Sequence, residues 1–248
     1  MIDELRLSKG NDYILPNGIA IKNPTLGEIT DYGENNYLSL ISMFTATTID
    51  RCAQLDDMGI DYTQITNFQM FILFSPLLTN RASEGKIDCS ILLGDIDFSS
   101  FKGVYEDDDI KLVNSDGVIF DEECYNLMAE YIRKMHGIAS PQYTKVTDGF
   151  AKKQMIIDAR NDAKYQEKLR ALKGVHSVYQ PYVSALVNHP YFKYNWETVW
   201  DIKISNFFDS LRRIQIIENA NHLYGGLYSG CIEYNKIKKD LDWLRPIN

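Results

Sequence analysis

Apolar residues recur at steps of three and four along most of this chain, and short stretches of a different character interrupt them. The most extended stripe is Ile204, Phe207, Phe208, Leu211, Ile214, Ile217, Ala220, Leu223 and Tyr224, which predicts a helix over 204–224. Ser205 is its expected N-cap and Gly225 its expected stop. Asp209 stands four residues before Arg213, a spacing that supports a solvated outer face. Just upstream, 195–200 reads as a short capped turn carrying Trp196 and Trp200.

Taken in order, residues 12–22 predict a hairpin, with Pro16-Asn17-Gly18 turning between two short apolar runs. Thr25 and Glu28 have capping-box spacing and start a helical pattern that continues to Phe44, with a break at Gly33. A further helix is expected after Thr47-Thr48, through Cys52 and Leu55 to Met58, stopped by Gly59. Residues 63–78 read as a core helix ended near Ser75-Pro76. Between 85 and 120 the composition turns β-like, in segments 87–93, 98–105, 110–113 and 118–120, with Asn114-Ser115-Asp116-Gly117 as a hairpin turn. Helical pattern resumes at Asp121, a good N-cap, and ends at Gly137. A loop over 138–149, a long charged helix over 150–173 and a shorter apolar helix over 175–188 follow. Gly225-Gly226 and Gly230 break the tail, and a last short element is expected around 241–244. The fold class is mainly α with a small β insertion (α+β). One helical domain over 1–248 carries a short N-terminal hairpin and the insertion at 85–120.

Composition narrows the function. Net charge is −8 with Lys and Arg scattered, which argues against a sequence-independent grip on nucleic acid. No apolar run approaches the ~18 residues of a membrane span, and the acidic start Met1-Ile2-Asp3-Glu4 lacks signal-peptide order. A cytosolic protein is expected. Cys52, Cys89, Cys124 and Cys231 show no C-x-x-C spacing and read as four buried free thiols.

Candidate chemistry is sparse. Asp95 and Asp97, with the run 106–109, lack the spacing of a calcium loop and read as solvated carboxylates. His136, His176, His189 and His222 lie in separate elements, and His136 near a helix end would suit the dipole as a cation. Phosphate-cradle and nucleophile-elbow motifs are missing, so the expectation is a protein with no enzymatic activity, cofactor or metal. What remains is aromatic surface, which suits protein interfaces as well as cores. Trp196, Trp200 and Trp243 sit near turns, where each could brace the fold or face a partner. Phe207 and Phe208 on the long helix, with Arg212 and Arg213 as rim residues or an ordinary solvated face, complete the candidate interaction set.

Several phrases resemble a group of tailed-bacteriophage proteins. Near the N-terminus they are Pro24-Thr25-Leu26-Gly27-Glu28-Ile29, Tyr32-Gly33-Glu34 with Tyr37, and 57–62. Further on they are 192–195, 197–201, Phe208-Asp209-Ser210-Leu211-Arg212-Arg213-Ile214-Gln215, Tyr228-Ser229-Gly230 and Leu241-Asp242-Trp243. The group is tail assembly chaperone-like proteins of phages infecting Gram-positive bacteria. The resemblance implies a helical protein of the host cytoplasm that binds the tape-measure protein non-covalently during virion morphogenesis. It also implies help in recruiting tail-tube subunits, leaves self-association open, and involves neither nucleic acid nor membrane. The alternative is a structural tail-completion or baseplate-associated virion protein, in which the β insertion would be a subunit contact.

Overall fold

Asp3 starts the first helix, α1 (Glu4–Ser8), by accepting hydrogen bonds from the N–H groups of Leu5 and Arg6. The apolar pattern did not predict this element, because one turn of helix has no period to read. A computed structural model describes residues 2–106, 109–141, 148–174 and 176–247, and the side chains of Glu106 and Lys173 fall outside that description. Asp107, Asp108, residues 142–147 of the expected loop and Val175 at the expected helix start therefore lie outside the described residues.

The predicted hairpin is β1 (Tyr13–Ile14) against β2 (Ala20–Ile21), antiparallel with Tyr13 opposite Ile21. The Thr25–Glu28 capping box is formed in full and opens α2 (Leu26–Tyr32). Gly33 joins it to α3 (Glu34–Thr45) at φ +97°, a conformation that only glycine takes without strain. Next comes α4 (Cys52–Asp57). The predicted core helix is shorter than its apolar run. α5 (Asn67–Phe74) starts at a second capping box, Thr66 with Gln69, and passes into a 3-10 turn at Ser75–Leu77.

The region expected to be β divides. β3 (Leu78–Thr79) pairs in parallel with β4 (Ile87–Asp88), but Ile91, Leu92 and Leu93 lie in helix α6 (Ser90–Leu93). Phe98–Ser100 is a 3-10 turn capped by Asp97. A true antiparallel sheet follows, β5 (Lys102–Glu106), β6 (Asp109–Val113) and β7 (Ile119–Phe120), in that order. The Asn114 turn forms as expected, with its side-chain oxygen accepting from the N–H groups of Asp116 and Val118. This sheet is no appendage. Phe120 of β7, and Phe98 of the turn that precedes β5, meet Phe68 and Phe71 of α5 with ring centroids 5.3–6.3 Å apart, at the centre of the main core.

Helix α7 (Glu122–His136) keeps its predicted stripe and its Asp121 cap. It ends in a Schellman turn, with Gly137 left-handed and the Ile138 N–H donating to the Arg133 carbonyl. His136 is no dipole-bound cation. Its Nδ1 lies 2.7 Å from the Ile132 carbonyl, which can only accept, so Nδ1 carries the proton and Nε2 accepts from the Tyr37 hydroxyl at 2.8 Å. Burial pushes its pKa down to about 4, and the ring is neutral.

The long charged helix is α8 (Gly149–Lys173), and the shorter apolar one starts five residues late as α9 (Gln180–Val187), with Pro181 in its first turn. The capped turn at Asn195 leads through a 3-10 turn, Val199–Asp201, into α10 (Ile204–Tyr228). Three expectations fail here. Ser205 lies inside the helix, accepting from the Asn23 amide at 2.8 Å and reaching the Leu7 carbonyl, while Lys203 holds the N-cap position without a side-chain bond. Gly225 does not end α10, which runs on to Tyr228 before Gly230 turns the chain at φ +74°. Gly226 has another use. A Cβ there would lie 2.5 Å from Ile232 Cδ1, so the glycine lets the tail fold back on the helix. The tail carries α11 (Tyr234–Ile237), and Leu241 is buried beyond it. Residues 241–244 form turns in place of the expected last element.

The architecture is mainly α with a small β component. Among the described residues no helix is long and apolar enough to cross a membrane. Cys52, Cys89 and Cys124 are buried thiols, and burial pushes Cys89 up to about 12. Cys231, by contrast, is exposed, which corrects the expectation of four buried thiols.

Candidate functional site

Four pieces of chain that are remote in sequence converge where α7 ends. Leu7 and Ser8 of α1, the Schellman turn 137–140, the first half of α10 and the tail residues Pro246 and Ile247 line a cleft of about 580 Å³. Phe208 supplies apolar wall and also packs on His136 at 5.9 Å between centroids. Arg212, one turn on, lies directly over Gly137, and any Cβ at that glycine would run into the guanidinium. Among the described residues Arg212 has no hydrogen bond or ion pair, so its planar set of donors faces the cleft uncommitted. The C-terminus of α7 brings partial negative charge to this end of the cleft.

Arg213 is committed. Its Nη1 donates to the backbone carbonyls of Trp243 at 2.5 Å and Arg245 at 3.1 Å, which straps the tail onto α10. The expected pair with Asp209 is not formed among the described residues, where Arg213 turns its Nη1 to the tail carbonyls instead. Lys134 stands 3.7 Å from both Glu4 and Glu130 at the cleft margin. No histidine or cysteine lines the cleft. Its chemistry is that of recognition, with charged donors beside an apolar wall that can take an acidic or carbonyl-bearing segment together with a small apolar side chain.

The seven candidate interaction residues are dispersed. Phe208, Arg212 and Arg213 share the cleft, and Trp243 adjoins it through its backbone. Phe207 is fully buried, edge to face with Phe208 and near Tyr179, so it serves the core and cannot meet a partner. Trp200 leans on Gly27 of α2 and donates its indole N–H to the Trp196 carbonyl at 2.9 Å. Trp196 and Trp243 are each about half exposed, at 50% and 49%. Gly137, Asn206, Asp209 and Lys134 also line the cleft and were not expected at a binding surface. Of these, Gly137 left a sequence signal as a helix stop and Asp209 as the residue spaced to pair with Arg213.

Residues 180–248, from the first residue of α9 onward, match the family model of the YomV second domain. No curated protein and no solved structure matches the chain. The hydrophobic core is continuous across the start of that segment, since Val183, Leu186 and Phe207 belong to the same cluster as Tyr37 and Phe71. The YomV family is phage-derived, so over its C-terminal part the chain is similar to a bacteriophage protein.

Proposed function

We propose that the protein is a tail assembly chaperone that binds the tape-measure protein non-covalently during phage tail morphogenesis in the host cytoplasm. The observation that carries this reading is a coincidence of position. The segment with phage-family similarity is also the one that presents Phe208 and the uncommitted Arg212 in an open cleft. A chaperone of this kind needs recognition surface and an acidic exterior for solubility, and the net charge of −8 supplies the latter. The exposed Trp196 and Trp243 add area for contacts with a long helical client, where weak contacts repeated along a rod sum to useful avidity.

The test is co-expression with the tape-measure protein of the same phage, followed by affinity purification and light scattering. The expected result is a defined soluble complex whose client is insoluble when made alone, and which Arg212→Glu weakens. A client that stays insoluble beside an inert monomer overturns the reading. One observation favours the alternative of a structural virion component. β5 is an edge strand whose Val104 and Tyr105 are exposed, the arrangement that adds a strand from a neighbour. Detection of the protein in purified particles would select that alternative.

A further inference from the structure

Helix α8 has two apolar faces, and among the described residues only one of them is packed. Its inner face, Ile156 and Ala159, packs with Cys52, Leu55, Tyr62 and Met70, and the Tyr62 hydroxyl reaches the Met155 sulfur at 3.5 Å. Lys152 pairs with Asp61 at 2.9 Å, and Arg160 bridges Asp56 and Asp57, fastening the same side. These contacts stop at Arg160. From 161 to 172 every residue except Leu169 is exposed, so about half of the helix stands away from the body.

The opposite face carries Phe150, Ile157, Tyr165 and Leu172 at steps of seven, eight and seven, exposed by 76%, 48%, 59% and 83%. At 100° per residue these four fall within a narrow arc, one residue for every two turns. That spacing is the seam of a helix pair, not the broad apolar face of a helix lying in a membrane surface. By the same geometry Lys153 and Lys164 line one margin of the seam, and Lys168 stands within it between Tyr165 and Leu172. The charge of α8 is opposite to that of its surroundings. It holds seven Lys and Arg against three Asp and Glu, a net +4, whereas the whole chain is −8 and the remainder is thus −12. Two copies of α8 laid together would oppose like charges along their margins, which disfavours pairing with itself.

We propose that the outward face of α8 docks an amphipathic helix of a partner protein that carries acidic residues beside its apolar seam. The partner's Glu or Asp residues meet Lys153, Lys164 and Lys168, while its apolar residues cover Ile157, Tyr165 and Leu172. This surface is separate from the cleft beside Arg212, and the proposal does not depend on which protein that cleft receives.

The test uses the full chain and synthetic helical peptides about 25 residues long, with Leu every seventh and fourth position and either Glu or Lys along the margins. Fluorescence anisotropy at low salt is expected to show saturable binding of the Glu peptide and none of the Lys peptide. The double variant Lys164→Glu/Lys168→Glu reverses that preference, and Leu172→Asp weakens the Glu peptide at least about tenfold. The altered side chains are exposed, and an unchanged circular dichroism spectrum and melting temperature confirm that each variant folds. Equal binding of the two peptides, or binding of neither, overturns the proposal. So does stronger binding to vesicles of three parts phosphatidylcholine to one part phosphatidylserine than to the Glu peptide. A dimer in light scattering that Leu172→Asp dissociates would make a second copy the occupant, and overturns it too.

Discussion

Helices α8 and α10 are each 25 residues long, and they meet opposite fates. α10 is held at both ends. Ile204, Phe207 and Ala220 are buried along it, α7 and α9 pack on its first half, and the tail folds back over its second, strapped by Arg213. α8 is fastened by its first half alone, to α4, and its second half touches little. Both are charged and regular, so helix-forming tendency does not separate them. What separates them is how much of their apolar surface the rest of the chain covers. On α10 Ile204, Phe207, Phe208 and Leu211 turn toward the core, and further on the apolar positions wind around the helix to Ala220, which is buried as well. On α8 they divide between opposite sides, and the set on the outer side stays exposed. A long helix with an uncovered apolar face is therefore informative, since that face is available to something outside the chain.

The contrast can be broken most severely at Phe207. Phe207→Ala removes a fully buried ring and should cost about 3–5 kcal/mol in urea denaturation. A loss below about 1 kcal/mol would mean that α10 is not part of the core.

Acid should act next most strongly, through His136 beneath Phe208. The neutral folded ring has a pKa of about 4 against 6.5 when unfolded, so between these values the unfolded chain binds the extra proton. Stability contributed by this group is whole above pH 6.5 and is lost as pH falls through 4, in total on the order of 3 kcal/mol. An NMR titration of the imidazole with a midpoint at 6 or above would refute this.

Gly226→Val tests the fold-back of the tail. The new branch meets Ile232, and the expected cost is about 1–3 kcal/mol, with faster hydrogen exchange over 232–247. Unchanged exchange there would mean that the tail docks without needing that close approach. The smallest effect is expected on the free half of α8. Leu172→Ala should alter stability by no more than about 0.5 kcal/mol. A larger loss would show that this half is packed after all, and the two helices would then be alike.

Local chemistry was read well and tertiary choice poorly. The Thr25 capping box, the Asn114 turn, the Asp121 cap and the Gly137 stop depend on residues within a few positions of one another, and all four form as the sequence predicts. The α6 segment failed because Ile91, Leu92 and Leu93 suit a buried strand or a buried helix equally, and only neighbours decide between them. The cleft was half legible. Phe208, Arg212 and Arg213 were marked by lying on one helix, yet the α7 turn, α1 and the tail that complete it are far away in sequence.

By itself, then, the sequence determined the helix ends that are set locally, at Thr25, Asp121 and Gly137, and the acidic character of the whole, because those follow from composition and from side chains a turn apart. Tertiary structure alone decided that Gly226 admits Ile232 and does not end a helix, that Arg213 holds the tail carbonyls, and that Phe207 is core while Arg212 faces the cleft. Each of those outcomes depends on which distant group arrives first at a donor, a gap or an apolar face, and that competition is settled only when the whole chain has packed.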